Sequence, residues 1–161
     1  QKNKIKIAFN PSTYLAEKGK SHLKKILDRT ELLVLNKEEA SLLVGNDSIQ
    51  NLLLRLRELG PKIVVITDGQ NELFVADDNC IYSAVPPQSK RIDTTGAGDA
   101  FAASFLSGLI RNKGIVFAIK LGIINAQSVI SHYGAKNILL NYREAMKLMG
   151  KSRINVKIRK I

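Results

Sequence analysis

Polar and apolar residues alternate through Lys4, Ile5, Lys6, Ile7, Ala8 and Phe9, a period-two pattern that predicts a strand ending at Asn10-Pro11, where proline removes a ladder donor. A turn is expected next. Leu23, Ile26 and Leu27 then share one side of a short amphipathic helix whose polar face carries Lys24, Lys25 and Asp28. Residues 31–35 are nearly continuously apolar, as in a parallel strand covered on both faces. Asn36 and Glu39 have the spacing of a capping box, which predicts a helix from Asn36 through Leu43. A second helix follows from Ile49, Leu52, Leu53, Leu56 and Leu59, opposite Arg55, Arg57 and Glu58, and Gly60-Pro61 stops it. Residues 63–67 read as another buried strand, leaving its carboxyl end through the turn Asp68-Gly69-Gln70-Asn71. Residues 73–76 and 81–85 flank Asp77-Asp78-Asn79 and predict an antiparallel hairpin at a sheet edge, closed by Pro86-Pro87.

The pattern then turns helical. Residues 97–111 are apolar on nearly every side, and Ala100, Ala102, Ala103, Ser104 and Gly108 keep that helix thin, so it is expected inside the domain. A long helix over residues 115–132, with Asn125, Ser128 and Ser131 as its notable polar positions, ends at Gly134-Ala135. Asn141 and Glu144 cap a last helix presenting Tyr142, Ala145, Met146 and Met149 on one face. Residues 153–158 alternate like an edge strand with its charges outward. Strands interleaved with helices in this order make an α/β fold.

Composition narrows the function classes. With 161 residues and 45% hydrophobic content, one compact domain is expected. The single Cys80 cannot form an internal disulfide, and no His/Cys set has metal-ligand spacing, which fits a reducing cytoplasm. His22 and His132 stand alone and read as surface or packing residues. The start Gln1-Lys2-Asn3-Lys4-Ile5 lacks the apolar core of a targeting segment, and a start at Gln rather than Met reads as a trimmed or partial product. No membrane span is expected, because residues 101–110 are too short a stretch and Arg111, Lys113 and Lys120 interrupt the apolar run beyond them. The net charge of +11 raises a polyanion partner. However, Lys151, Arg153, Lys157, Arg159 and Lys160 concentrate charge in the tail without interleaved aromatics for stacking on bases. Nucleic acid is therefore not the expected partner, and a basic polyanion-binding module is kept only as an alternative.

The chemistry concentrates in Asp93-Thr94-Thr95-Gly96-Ala97-Gly98-Asp99-Ala100-Phe101, a glycine-punctuated turn that opens a helix. Small residues at 96–98 let an anion approach the backbone, and the first N–H groups of a helix lack internal partners. The helix dipole favours a phosphate at the same end. Asp99 would repel that phosphate, so it needs a reason, and a general base taking a proton from an attacking hydroxyl is one. A tight turn with Asp at a favourable N-terminal position is the plain alternative. The run is not a Walker A loop, since no Gly-Lys-Ser/Thr follows, nor a dinucleotide fingerprint, since Phe101 stands where a third glycine should be. The whole run resembles the signature of the ribokinase-like (PfkB) family of carbohydrate and nucleoside kinases.

That resemblance implies a ribokinase-like, mostly parallel sheet flanked by helices, with a β-hairpin on its C-terminal side. It extends from about Ile5 to Ala135 and matches the C-terminal half of such a kinase, a partial domain over residues 1–150 followed by a basic tail, 151–161, as an edge strand. The implied activity is transfer of the γ-phosphate of ATP to a hydroxyl of a sugar or nucleoside, with Asp99 as base and the N–H groups of Gly96, Ala97 and Gly98 as the anion hole. Asn36 and Glu39 would hold Mg2+ and its waters, although the capping box alone also explains them. Asp93, with a loop that Gly134-Ala135 resembles, would hold K+. Thr67 and Gly69 match a Thr-x-Gly that lines the nucleotide phosphates and ribose, but Glu72 replaces a second glycine often found there. Thr95 is grouped with the nucleotide-binding residues, and Val85 and Pro87 are placed beside adenine. Asn125 either faces the base or is a packing amide. The partners implied are ATP and a small sugar or nucleoside, with a homodimer or a complementary N-terminal half as protein partners. Because the acceptor-binding region lies in the other half, a nucleotide-binding half without activity of its own stays open.

Overall fold

The computed structural model describes residues 5–161, so the expectations resting on Gln1, Lys2, Asn3 and Lys4 lie outside the described residues. The chain forms two compact units, one running to Ser83 and taking in Lys157–Ile161, the other Ala84–Val156.

The first unit holds β1 (Ile7–Phe9), α1 (Thr13–Glu17), α2 (Gly19–Leu27), β2 (Thr30–Asn36), α3 (Lys37–Val44), α4 (Ile49–Glu58), β3 (Ile63–Thr67), β4 (Leu73–Ala76), β5 (Cys80–Ala84) and, from the far end of the chain, β6 (Lys157–Lys160). The strands form one sheet in sequence order. Helical crossovers separate β1, β2 and β3, which pair in parallel, whereas short turns force antiparallel pairing of β3 with β4. The sheet is therefore mixed. Leu33, Leu35, Val64 and Ile66 pack with Leu27, Leu52, Leu53 and Leu56 in the core. The intervening Leu32, Val34 and Val65 are buried as well, as their apolar runs predicted. Gly60 ends α4 at φ +120°, where a Cβ would come within 2.7 Å of the Asp28 Cα. Only glycine lets that connection pass so close to the end of α2.

Two expectations are corrected. The segment after Pro11 contains α1 as well as the predicted turn, too short a helix to show a period. The hairpin is not at the edge, because β6 pairs antiparallel with β5 and becomes the edge itself. That strand begins at Lys157 rather than 153, and all of Lys157–Lys160 is exposed. Its cations discourage further strand pairing.

The second unit is helical: α5 (Ala97–Ile110), α6 (Gly114–Ile130) and α7 (Tyr142–Lys151). A Cβ on Gly108 would lie 2.8 Å from the Ala118 Cα, and one on Gly122 would lie 2.8 Å from the Phe101 ring. These two glycines let α5 and α6 approach closely, and Phe101 stacks on Phe105 with centroids 5.9 Å apart. The expectation that α5 lies inside the domain is met along one stripe only. Its buried stripe is Ala100, Phe101, Ser104, Phe105 and Gly108, while Asp99, Ala103 and Ile110 are exposed. The cap of α7 forms as predicted, with Glu144 N–H donating to Asn141 Oδ1 and Asn141 N–H to Glu144 Oε2. Arg111 lies over the Tyr142 ring at 4.0 Å.

Candidate active site

In the first unit, Asn36 and Thr67 end the adjacent parallel strands β2 and β3 and are register partners. The fold thus places two sequence-predicted residues side by side at the carboxyl end of the sheet, where ligands bind in open α/β sheets. The Asn36 capping box is complete: Glu39 N–H donates to Asn36 Oδ1 at 2.8 Å, and Asn36 N–H donates to Glu39 Oε2 at 2.9 Å. Glu39 is only 8% exposed, the one charged side chain buried among the described residues. Its other oxygen, Oε1, accepts from the Thr13 hydroxyl at 3.3 Å. No basic side chain pairs with it among the described residues. A buried carboxylate without a cation is costly.

That donor set can be tested against magnesium. Among the described residues no three His, Cys, Asp or Glu side chains converge as a direct metal cage. Magnesium usually keeps several waters and takes one or two carboxylates together with substrate phosphates. An unpaired buried carboxylate beside an amide oxygen fits that mode of binding.

Around this point, Thr67 Oγ1 donates to the Leu35 carbonyl at 3.4 Å. Gly69 adopts φ +59° with nothing within 4 Å of a Cβ position, so its backbone lies open. Lys37 and Asp68, the residues after Asn36 and Thr67, form an ion pair at 3.6 Å. They line an open groove of about 460 Å³ with Glu38, Ser41, Leu42 and Asn46. Glu72, which departs from the resemblance, is half-buried with Lys157 at 4.0 Å.

In the second unit, the signature run is tied to the loop after α6. Ile92 N–H donates to the Ile130 carbonyl at 2.8 Å. Asp93 accepts Thr95 N–H on one oxygen at 2.9 Å and Gly134 N–H on the other at 3.0 Å. The Thr95 hydroxyl, then the N–H groups of Thr95 and Gly134, hold the Asp93 carboxyl below the usual carboxylate range. Gly96 caps α5 at φ +79°, and a Cβ there would lie 2.8 Å from both Cα and C of Ala135. Its lack of a side chain serves this crossing of two loops. Gly98, by contrast, has nothing within 4 Å of a Cβ position, so only its own backbone is presented.

The predicted set of anion-binding N–H groups is corrected at one position. Ala97 N–H is taken by the Thr94 carbonyl at 3.2 Å, and the first helical bond runs from Ala100 N–H to the Gly96 carbonyl at 2.9 Å. Within the run 93–99, Thr94, Gly96, Gly98 and Asp99 have N–H groups without a protein acceptor among the described residues, and the last three stand at the start of α5. Residue type points to Ala97, but the turn occupies its N–H and leaves that of Asp99 without a protein acceptor among the described residues. The Asp99 side chain is exposed in the first turn of α5, with no hydrogen-bond or ion-pair partner among the described residues.

Asn125 donates to Ser104 Oγ at 2.7 Å and accepts Leu140 N–H at 3.0 Å. This geometry fits the packing-amide alternative. Val85 and Pro87 are exposed, and Gln127 Nε2 donates to the Pro87 carbonyl at 2.6 Å, pinning that segment to α6. Neither Gln127 nor Thr13 had a sequence signal, since each acts through a partner remote in sequence.

The profile of the pfkB family carbohydrate kinases matches residues 2–141. The chain is 33% identical over 130 residues to an uncharacterized sugar kinase of Archaeoglobus fulgidus, covering 81% of this chain and 52% of that protein. It is also 33% identical over 135 residues to a cytidine kinase of Thermococcus kodakarensis, covering 81% of this chain and 48% of that protein. It thus spans about half the length of the curated relatives it matches. Among solved structures, a provisionally assigned ribokinase II of E. coli, in complex with ATP and Mg2+, superposes with a TM-score of 0.80 at 17% identity, over 91% of this chain and 49% of that one. That likeness shows a ribokinase-like fold. With the family profile matching most of its length, this chain belongs to the pfkB family of carbohydrate kinases.

Proposed function

We propose that this chain supplies the phosphate-binding and catalytic-loop part of an enzyme that transfers the γ-phosphate of ATP to a hydroxyl of a sugar or nucleoside. The observation that carries the reading is Asp99: an exposed carboxylate, unpaired among the described residues, in the first turn of a 14-residue helix where the Gly98 and Asp99 N–H groups lack protein acceptors. Asp99 takes the hydroxyl proton as the acceptor oxygen attacks the γ-phosphorus in line. The N–H groups of Gly96, Gly98 and Asp99 face the charge on the transferred group, and loss of one such donor costs on the order of a hundredfold in rate. Asp93 holds the run in shape through Thr95 and Gly134, and with the Gly134-Ala135 loop it is the place proposed for K+.

Asn36 and Glu39 hold magnesium through its waters. When bound, that ion neutralises charge on the phosphate oxygens. Thr67 and Gly69 line the phosphates and ribose, Thr95 belongs to the nucleotide-binding loop, and Val85 and Pro87 lie beside the base. ATP as donor is supported by the E. coli relative solved with ATP and Mg2+. A sugar or nucleoside acceptor is supported by the sugar kinase and cytidine kinase relatives. A second reading, a nucleotide-binding half that needs a complementary half for activity, is favoured by the roughly half-length coverage of those relatives.

The test is Asp99→Asn. The variant should keep the rise in melting temperature produced by Mg-ATP while acceptor-dependent turnover falls by about a hundredfold or more. Undiminished turnover refutes the assignment of the base. ATP consumption that no acceptor stimulates in the unsubstituted chain favours the second reading.

A further inference from the structure

We infer that Thr13 is a positioning residue for the cation site, acting through Glu39; this rests on the magnesium role proposed for Glu39. Glu39 is the one buried charged side chain among the described residues, and no basic residue pairs with it there. A carboxylate in that position rotates unless its oxygens are held, and each of them accepts a single donor. Asn36 N–H takes Oε2 at 2.9 Å, from within the same helix cap. The Thr13 hydroxyl takes Oε1 at 3.3 Å, from α1, across twenty-six positions of sequence. Two neutral donors on different elements fix the carboxylate plane without cancelling its charge. They leave lone pairs on both oxygens for the water shell of a cation. A lysine or arginine in place of Thr13 would satisfy Glu39 and remove its attraction for a metal. A hydroxyl orients it and leaves the charge available. The β1–α1 corner that carries Thr13 is itself anchored, because Asn10 Nδ2 donates to the Val34 carbonyl at 2.8 Å. The position of the hydroxyl is thereby referred to the same strand, β2, that delivers Asn36.

The experiment is a Mg2+ titration of the chain in the presence of a non-hydrolysable ATP analogue, read by thermal shift and by isothermal calorimetry. Each variant is referred to its own metal-free melting temperature. Thr13→Val keeps the shape of the side chain and removes the hydroxyl, and it should raise the half-saturating Mg2+ concentration about tenfold, the scale on which partners of metal ligands act. Thr13→Ser should restore it. In a Glu39→Gln background Thr13→Val should have no further effect, since its influence runs through the carboxylate. A Thr13→Val titration that superposes on the parent while Glu39→Gln is weakened would overturn the inference and leave the proposed function standing. So would an equal loss from Thr13→Val in both backgrounds. Glu39→Gln with unchanged Mg2+ affinity would overturn the magnesium role of Glu39, and the inference with it.

Discussion

Gly96 and Gly98 stand two residues apart at the start of α5, one as its cap and one in its first turn, and the structure demands opposite outcomes when each becomes alanine. At Gly96 the backbone has φ +79° and the Cβ position lies 2.8 Å from two backbone atoms of Ala135. The left-handed conformation costs a side chain about 1–2 kcal/mol. Forcing a methyl group against backbone costs about 1–3 kcal/mol more, because backbone atoms cannot rotate away. Gly96→Ala should therefore destabilise the helical unit by about 2–5 kcal/mol, with most of the loss in the crossing of the signature run over the loop after α6. At Gly98 nothing lies within 4 Å and the residue is helical. Gly98→Ala should be neutral or stabilising by up to about 1 kcal/mol, yet under the proposed function its methyl group would crowd the approach of a phosphate to the backbone at 96–99. The assay pairs thermal unfolding with the Mg-ATP-induced shift. For a chain of this length about 3 kcal/mol corresponds to roughly 10 °C. Amide exchange over α5 and α6 would show where the loss is felt. Equal melting temperatures for the two variants would refute the account of Gly96, and an unimpaired nucleotide shift in Gly98→Ala would refute that of Gly98.

Three further outcomes follow from the geometry. Asp93 has its carboxyl held below the ordinary value of 3.8, so its stabilising contribution is present above that value and is lost as pH falls through the lowered one. Asp93→Asn should therefore melt lower than the parent near neutrality and converge with it on acidification, as a pH series of melting curves would show. Gly122→Ala would press a methyl group to 2.8 Å from the Phe101 ring, itself buried and stacked on Phe105, and should cost about 1–3 kcal/mol in denaturant unfolding. Asn125→Ala would strip partners from Ser104 and Leu140 and should cost about 1–3 kcal/mol. If Asn125 only packs, the nucleotide affinity of this variant by calorimetry should match the parent, and a large loss of affinity at intact stability would restore the base-facing alternative.

The long elements and both capping boxes were legible because they obey local rules. The stripe of Leu52, Leu53 and Leu56 has helical period, the continuous run in β2 marks a strand buried on both faces, and the Asn-x-x-Glu spacing at 36–39 and 141–144 dictates its own reciprocal bonds. The site residues were legible as types in a fixed order, but their bonding was not. Whether Ala97 or Asp99 offers its N–H depends on the turn at Thr94. Whether Gly96 is small for a ligand or for Ala135 depends on a loop far along the chain. The place of the hairpin failed for a related reason: β6 reaches β5 only after all of Ala84–Val156 has intervened, and no window of sequence contains both.

The pairing of Ser83 with Lys157 also bears on the order in which the molecule can form. Residues on either side of the whole helical unit are register partners, so closing that ladder means ordering the ends of a very long loop, an entropic cost that local contacts cannot offset early. While Ala84–Val156 is being synthesised, β5 is an open edge with unpaired backbone groups. The last rung of the sheet must wait until the helical segment has been made, and until β6 arrives the free side of β5 is an edge at which a delayed chain can pair with a neighbour.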